Sequence, residues 1–420
     1  MKGDIPPPDP HVVMAVRNPC VHDARVRKEA ASLAGAGYRV TVIALQTGDL
    51  PAIESQSGWT VVRRVRVPLH PGSQRGTSRH GLVRLVWKAV RSTVYHLRLR
   101  REILDHAPDI IHAHDLDTLL GAGGAARAAG VPLVYDAHEL FTEMTTLSGT
   151  GRRVGRILER CRIRQAARVL TVNRSIAREL SLRYGTQEPA VVRDCPPDPG
   201  PLKKNDGLRF RTGTGPGTLL VLYHGGFTPG RGLETLAAAF RDAQDAALVM
   251  MGWGPLKSGL VRECERLGLS NRIHFLPPVP PEALLPLVAG ADLGIIPYVP
   301  VSLNNRLSLP NKVFEFLAAG VPVLASDLPE ISALLRETGA GLVYPAGDHT
   351  SLSRALQSLA ASPESLHRLR VNATRSRPAV TWEPEAKKLL DLYRTLIPAR
   401  GGSTEGHVVP IHGEDESNRV

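Results

Sequence analysis

The stretch NKVFEFLAAGVPVLASDLPE, residues Asn311 to Glu330, carries the clearest indication of the fold. Pro310 precedes it and suits the first turn of a helix, where the missing amide hydrogen of a proline costs nothing. After a glycine the chain continues as VPVLAS, an aliphatic run typical of a strand that is buried on both faces. A helix that leads directly into such a strand is typical of a parallel α/β sheet.

The same alternation of helix-like segments and short aliphatic runs extends in both directions along the chain. The earlier runs are HVVMAV, YRVTVIAL, WTVVRRVRV, DIIHAH, VPLVYDAH and RVLTVN, and the later ones are TLLVLYHGG, AALVMMG, RIHFLP, ADLGIIPY, VPVLAS and AGLVYP. The segment between the two series is rich in Pro, Gly and charge, which favours a linker. We therefore predict two doubly wound α/β domains, with ligands bound at the carboxyl ends of their strands in a cleft.

These patterns give an expected organisation along the chain. We predict a first domain over residues 1–195, a linker over 196–217 and a second domain over 218–380. An amphipathic helix is expected over 381–399. Residues 400–420 are polar and glycine-rich, a composition typical of disorder.

Composition limits the class of protein. The 420 residues are 42% hydrophobic and 22% charged, as in ordinary globular proteins, and the formal net charge of +12 favours phosphate-bearing partners. The four cysteines form no CxxC pair, so we expect free thiols in a reducing compartment. Neither an apolar leader nor a run of about 18 apolar residues is evident, which favours a cytoplasmic protein.

Two segments have residues suited to binding a diphosphate and a ribose. In YHGGFTPGRGLETL, Gly225 and Gly226 allow close approach of the backbone to a ligand, and Arg231 lies near the start of a helix, where anions bind. In the second segment, Lys312 can reach a phosphate, and Glu315, about one turn later, can accept hydrogen bonds from two neighbouring hydroxyls. The alternatives are a simple strand-to-helix turn with a surface arginine, and a solvated glutamate.

Polar residues also follow two strands of the first series. His138 and Glu139 come just after VPLVYDA, a position where α/β enzymes place functional groups. In HAHDLDT, His112 and His114 share a strand face, which leaves open a metal site or a polar cleft lining. We favour the polar lining, because two histidines without a defined third ligand are weak evidence for a metal.

Three further features have ordinary interpretations beside functional ones. GAGGAA (Gly121–Ala126) matches a dinucleotide-binding pattern but follows no strand directly, so a small-residue helix is favoured. The basic amphipathic segments Arg79–Leu104 and Gly151–Arg168 could contact an anionic membrane or could be core-facing helices with a charged outer side. Nucleic-acid binding is not expected, since basic charge is its only support.

Six segments, in this order, resemble glycosyltransferase family 4, the retaining group 1 enzymes of GT-B fold: HDARVRKEAASLAGAGYRVTVIAL, PDIIHAHD, YDAHE, RVLTVNRSIARELSLRYG, YHGGFTPGRGLETL and NKVFEFLAAGVPVLASDLPE. The resemblance covers nearly the whole chain. It implies two Rossmann-like domains facing a central cleft, with the acceptor on the first and the sugar nucleotide on the second. It also implies a C-terminal helix that crosses back to the first domain.

The resemblance implies roles for individual residues. Arg231 matches a basic residue that binds the diphosphate, Glu315 matches a ribose-binding glutamate, and His138 matches a histidine near the transferred sugar. The backbone near Arg272 and Ile273 matches the strand that contacts the base. The expected donor-binding residues are therefore Gly225, Gly226, Arg231, Arg272, Ile273, Asn311, Lys312 and Glu315, and the expected acceptor-binding residues are Asp23, Arg25, His114, Asp115 and Glu139.

The sequence departs from the family pattern at three places. The family commonly has a second glutamate eight positions before Glu315, where this chain has Leu307, so Asn311 and Lys312 partly replace it. The usual Gly-Arg before the diphosphate loop is Gly225–Gly226, and Asn18-Pro19-Cys20 replaces a glycine pair after the first strand.

The expected activity is transfer of a sugar from a nucleoside-diphosphate donor, with retention, to a glycan, a lipid-linked acceptor or a small molecule. The loop Pro310-Asn311-Lys312 is similar to loops of family members that act on polysaccharide and cell-envelope glycans, which favours that kind of biosynthesis. The basic segments Arg79–Leu104 and Gly151–Arg168 leave open peripheral attachment to the inner face of the plasma membrane. Catalysis would rest on His138, Arg231 and Lys312. No DxD motif is evident, so no metal cofactor is expected. The alternatives are a sugar-nucleotide 2-epimerase of the same fold and a catalytically degenerate scaffold.

Overall fold

A computed structural model describes residues 9–67 and 81–396, with only the backbone of 81–86. The expected tail over 400–420 and the first two residues of the basic segment Arg79–Leu104 lie outside this range. Contacts within the chain divide it into two compact units. The first contains the chain up to Asp136, Leu158–Val169 and the chain from Lys388, and the second contains Ala137–Ile157 and Leu170–Lys387.

Strands and helices alternate through most of the chain. The strands are β1 (His11–Ala15), β2 (Arg39–Leu45), β3 (Ile53–Gln56), β4 (Trp59–Val65), β5 (Ile110–His114), β6 (Leu133–Ala137), β7 (Arg168–Thr171), β8 (Ala190–Val191), β9 (Leu219–His224), β10 (Ala246–Met251), β11 (Ile273–Leu276), β12 (Leu293–Ile296), β13 (Val323–Ser326) and β14 (Gly341–Tyr344). The helices are α1 (Ala24–Gly35), α2 (Gly81–Asp105), α3 (Leu116–Ala129), α4 (Gly149–Ile163), α5 (Arg174–Tyr184), α6 (Gly207–Thr212), α7 (Leu233–Asp242), α8 (Lys257–Arg266), α9 (Pro281–Val288), α10 (Leu303–Leu307), α11 (Asn311–Ala318), α12 (Pro329–Thr338), α13 (His349–Ala360), α14 (Pro363–Ser376) and α15 (Trp382–Arg394).

The first sheet has the strand order β3-β4-β2-β1-β5-β6-β7-β8. Strands β4, β2, β1, β5 and β6 run parallel, as their aliphatic runs predict. Strand β3 is an addition that the sequence patterns did not indicate. It pairs antiparallel with β4 in a hairpin, and its exposed and half-buried residues lack the aliphatic run of a buried strand.

The second sheet has the order β11-β10-β9-β12-β13-β14, and every neighbouring pair is parallel. Successive residues of β9 point to opposite faces, and both faces are buried: Leu220 and Leu222 join one hydrophobic cluster, and Val221 and Tyr223 join the other. Helices therefore cover both sides of this sheet. The strand order reverses between β9 and β12, and ligands bind beside such a reversal, at the carboxyl ends of the strands.

Several finer points differ from the sequence patterns or refine them. The segment expected to be a linker contains α6, which is followed by Gly213 in a left-handed conformation. GAGGAA lies inside α3, as expected for a small-residue helix. In α15, Trp382 belongs to the second unit, where its amide donates to the carbonyl of Pro196, and Tyr393 belongs to the first. Among the described residues, no helix has both the length and the apolar character needed to cross a bilayer.

Candidate active site

The loop between β9 and α7, residues Gly225 to Gly232, lies at the carboxyl end of the second sheet. Gly225 has a φ of 118°, and a Cβ placed on it would lie 2.9 Å from the ammonium nitrogen of Lys312. The loop also packs against the turn that follows β10. A Cβ on Gly252 would lie 2.0 Å from the carbonyl oxygen of Gly225, and the amide of Phe227 donates to the carbonyl of Trp253 at 2.7 Å. Glycines are required here because two stretches of backbone and a lysine share the same space.

The structure brings Arg231 and Lys312 together around two buried tyrosines. The guanidinium carbon of Arg231 lies 4.3 Å from the ring centre of Tyr298, and the ammonium of Lys312 lies 5.2 Å from the same centre. The ammonium also lies 4.5 Å from the ring centre of Tyr223. Burial alone would lower the pKa of Lys312, but the Tyr298 and Tyr223 hydroxyls offset this, and the pKa lies above its usual value. Lys312 is therefore a cation at neutral pH.

Glu315 lies on the same helix as Lys312 and faces His224, the last residue of β9. The nearest carboxylate oxygen of Glu315 is 3.6 Å from Nε2 of His224, and the Glu315 side chain is 23% exposed. Burial, assisted by the charge of Lys312, lowers the pKa of His224 to about 3. The imidazole is therefore neutral at physiological pH, and Glu315 keeps part of its carboxylate accessible to a ligand.

His138 follows β6 and belongs to the second unit, together with the segment after β12. His138 is partly buried. The two residues that follow it, Glu139 and Leu140, form hydrogen bonds with Asn304 of α10. The side-chain amide of Asn304 donates to the carboxylate of Glu139 at 2.7 Å, and its oxygen accepts from the amide of Leu140 at 2.9 Å. These bonds hold the His138 segment against the loop that leads to α11.

The other expected donor-binding residues are Asn311, Arg272 and Ile273. Asn311 and Arg272 form hydrogen bonds within the protein, and Arg272 and Ile273 lie at the amino end of their strand. The amide of Asn311 donates to the carboxylate of Asp194. Arg272 and Ile273 lie at the amino end of β11, because Ile273 pairs with Leu248, three residues before the end of β10. The guanidinium of Arg272 donates to the carbonyl of Ala243 at 2.7 Å. The structure therefore does not bring Arg272 and Ile273 to the carboxyl end of the sheet, where Gly225 and Lys312 lie.

Two expected acceptor residues belong to a buried charge network in the first unit. Arg25 forms two hydrogen bonds with Asp136, at 2.8 and 2.9 Å, and lies 3.1 Å from Glu29. Nδ1 of His114 lies 3.5 Å from the same Asp136 carboxylate, and its ring stacks on that of His112 at 4.3 Å. Burial of this network leaves neither Arg25 nor His114 open to an acceptor.

The remaining acceptor candidates of the first unit differ in exposure and role. One carboxylate oxygen of Asp23 accepts from the amide of Val26 and caps α1, and the other accepts from the side chain of Asn18. Asp115 is partly exposed and has a φ of 58°, a strained value for a residue other than glycine. Such strain is found preferentially at functional sites.

Ligand-type atoms of Glu29, His112, His114 and Asp136 lie within 4.8 Å of one another. This grouping could hold a metal ion in principle. Arg25, however, binds the carboxylates of both Asp136 and Glu29, so a fixed cation already compensates part of their charge. The structure thus places two carboxylates beside the two histidines, and the polar interpretation of His112 and His114 stays a prediction.

Comparison with known proteins tests the resemblance found in the sequence. A sequence model of Glycosyltransferase Family 4 matches residues 24–198, and a model of Glycosyl transferases group 1 matches residues 218–362. The chain belongs to glycosyltransferase family 4. It is accordingly a glycosyltransferase.

Relatives of this family 4 enzyme carry consistent names. A protein of Nocardia farcinica named D-inositol 3-phosphate glycosyltransferase is 27% identical, over 92% of this chain and 88% of its own length. A protein of the same name from Rhodococcus erythropolis is also 27% identical, over 88% and 85%.

Solved structures of low sequence identity share the fold. Sucrose-phosphate synthase of Thermosynechococcus elongatus has a TM-score of 0.73 and 18% identity, over 92% of this chain and 99% of its own. HepE of Anabaena, solved in complex with UDP, has a TM-score of 0.68 and 17% identity, over 92% and 100%. These likenesses confirm the GT-B fold.

Sequence reasoning about the glycosyltransferase site missed Tyr223, Tyr298, His224 and Asn304. A signal for the two tyrosines was present, because each comes at the end of an aliphatic strand, in LLVLYH and LGIIPY. No sequence signal linked Asn304 to Glu139, since 165 positions separate them.

Proposed function

We propose that this enzyme transfers a sugar from a nucleoside diphosphate to a glycan, lipid-linked or small-molecule acceptor, with retention at the anomeric carbon, in cell-envelope or polysaccharide biosynthesis. The observation that carries the proposal is the pair of cations, Arg231 and Lys312, beside a glycine loop at the strand reversal of the second sheet. The related fold of HepE, solved with UDP and with UDP-glucose, supports such a donor. The named activity of the Nocardia relative supports a phosphorylated small acceptor as one member of this class.

In the proposed reaction, the leaving diphosphate gains negative charge as its bond to the sugar breaks. Arg231, Lys312 and the amino end of α7 stabilise that charge electrostatically, so the site supplies positive charge without a bound metal. The carboxylate of Glu315 accepts hydrogen bonds from the ribose hydroxyls, and His138 orients the sugar. On the acceptor side, Asp115 is the residue of the first unit that we propose to contact the acceptor.

We also propose that the enzyme works at the cytoplasmic face of a membrane. Helix α4 supports this, because it exposes Val154 and Ile157 with 51% and 63% of their surface accessible. Arg153 and Arg160 are exposed on the same helix. Exposed apolar side chains flanked by arginines suit the surface of an anionic bilayer.

The test begins with a panel of UDP-, GDP- and ADP-sugars, scored by the rise in melting temperature of the protein. The donor found is then used in a transfer assay with Arg231→Ala and Glu315→Ala. Loss of Arg231 should lower kcat about a hundredfold or more, and loss of Glu315 should mainly raise the donor KM. Arg241→Ala is the matched control, because Arg241 lies on the same α7 but is exposed and pairs with Asp242.

Two outcomes would contradict the proposal. Full transfer activity in both variants would refute the roles of Arg231 and Glu315. Conversion of the donor to its epimer in the absence of any acceptor would show that the enzyme is a sugar-nucleotide 2-epimerase rather than a transferase. The anomeric configuration of the product, read by NMR, tests retention separately.

A further inference from the structure

Tyr298 is buried at the carboxyl end of β12, directly at the strand reversal of the second sheet, and 2% of its surface is accessible. Its ring lies between two parts of the site. The guanidinium of Arg231 comes from the β9–α7 loop, and the ammonium of Lys312 comes from the first turn of α11. Among the residues that the structure describes, Tyr298 is the one ring that makes a cation–π contact with both cations.

Tyr223 completes the surroundings of Lys312. Its hydroxyl donates to the carbonyl of Gly226 at 2.9 Å and lies 3.5 Å from the lysine ammonium. The hydrogen bond fixes the Tyr223 ring against the loop. Gly225, which lacks a side chain, leaves the space that the ammonium occupies. The lysine is therefore held between two aromatic rings and the glycine backbone.

Two neighbouring cations repel one another, and the charge of Arg231 accordingly acts to lower the pKa of Lys312. The faces of tyrosine rings carry negative potential and attract cations, most strongly where water is excluded. The ring of Tyr298 can therefore offset the repulsion before any anion arrives. A site whose cations are already in position loses less free energy when it binds a charged group.

We propose that Tyr298 is a positioning residue that holds Arg231 and Lys312 in place to receive the diphosphate of the donor. This inference rests on the proposed donor class. The Tyr298 hydroxyl also hydrogen-bonds to Lys312, but the ring face contacts Arg231 as well as Lys312, so the ring face has the larger part of the effect. The ring of Tyr223 contacts the ammonium of Lys312 but makes no such contact with the guanidinium of Arg231 among the described residues.

The test compares Tyr298→Phe, which keeps the ring, with Tyr298→Leu, which removes it. UDP, GDP and ADP are first titrated into the wild type by calorimetry, and the one that binds is compared with its nucleoside. The Leu variant should bind the diphosphate about tenfold more weakly and the nucleoside unchanged, with a lower kcat. The Phe variant should stay within about twofold of the wild type.

Two further variants separate positioning from packing. Replacement of Tyr298 by 3,4,5-trifluorophenylalanine keeps the shape but removes the negative potential of the ring face, so it should weaken diphosphate binding as Leu does. It also serves if the Leu variant does not fold. Tyr344→Leu is the control, because Tyr344 is equally buried in β14 at the far edge of the sheet. It should lower stability without changing the ratio of diphosphate to nucleoside affinity.

The outcomes distinguish this inference from the proposed function. A wild type that binds no nucleoside diphosphate would overturn both. A wild type that binds one, together with trifluorophenylalanine and Leu variants whose diphosphate affinity equals that of the wild type, would overturn the role of Tyr298 alone. Equal loss of nucleoside and diphosphate binding would show a packing role and would overturn it as well.

Discussion

Gly225 and Lys312 depend on each other at the scale of single residues. The lysine ammonium occupies the space that any side chain at position 225 would need, and the glycine also has a φ of 118°. Few residues other than glycine adopt that backbone conformation without strain. The loop and the lysine therefore form one structural unit, although they are far apart in the sequence.

We expect Gly225→Ala to weaken donor binding strongly. The new methyl group would push the lysine ammonium away from its two tyrosines, and the backbone would carry strain of about 1–3 kcal/mol. Donor KM should rise about tenfold or more, since 1.4 kcal/mol corresponds to a factor of ten. Steady-state kinetics with the donor identified in the panel would measure this.

Gly226→Ala provides the comparison for that variant. A Cβ at this position would meet nothing closer than 3.8 Å, the distance to a methyl group of Thr228. Its effect on KM should be much smaller than that of Gly225→Ala. Equal effects of the two variants would show that the loop tolerates no side chain at all and that Lys312 has no special part.

At the scale of the element, α4 shows how burial defines a helix face. Glu159 is buried, and one of its carboxylate oxygens accepts from the hydroxyl of Tyr135 at 2.8 Å. Val154 and Ile157 point outward on the opposite side. The apolar residues of α4 are therefore not all core residues, and an exposed apolar stripe is typical of an interaction surface.

We expect Ile157→Asp to abolish binding to vesicles that contain anionic lipid. The exposed side chain makes little contribution to folding, so the melting temperature should change little, and donor binding should stay as in the wild type. Sedimentation with vesicles of mixed neutral and anionic lipid would measure the bound fraction.

Leu182→Asp is the control for α4. Leu182 lies on α5 and is more exposed, with 74% of its surface accessible. If both variants still sediment with vesicles, or if the wild type does not, the membrane proposal fails. If both variants lose binding equally, exposed apolar side chains in general contribute to vesicle binding, and α4 has no special part in it.

Across the protein as a whole, buried histidines make the free energy of unfolding depend on pH. Burial lowers the pKa of His11 and of His96 to about 4 and that of His224 to about 3. The folded state keeps these rings neutral, whereas the unfolded chain takes up protons below about pH 6.5. Since the unfolded state binds more protons, the free energy of unfolding falls as the pH drops from about 6.5 towards 4.

The expected loss is at most about 1.4 kcal/mol per pH unit for each such histidine. Urea unfolding at pH 7 and pH 5 would measure it. His96→Gln should reduce the difference between the two pH values by removing one titrating group. His349→Gln is the control, because His349 is exposed. A His96→Gln protein with an unchanged pH dependence would contradict the prediction.

Hydrophobic periodicity in the sequence was sufficient to predict the parallel strands and the covering helices, whereas the resemblance to family 4 came from specific motifs in a fixed order. This follows because strands buried on both faces need aliphatic runs, and such runs are visible without a structure. The sequence also indicated Arg231, Lys312 and Glu315 as site residues, because strand ends and helix starts can be recognised from local sequence. It gave no indication of β3, whose short hairpin is largely exposed and has no apolar pattern.

Which of the indicated residues act together depends on the folded arrangement of the strands. Packing of β9 beside β12 brings Tyr223 and Tyr298 to Lys312, and the pairing of β10 with β11 leaves Arg272 at the opposite end of the sheet. Arg25 and His114 resemble site residues in the sequence, but burial turns them into partners of Asp136. Contacts between residues far apart in the chain depend on strand order and register, which no local pattern of residues determines.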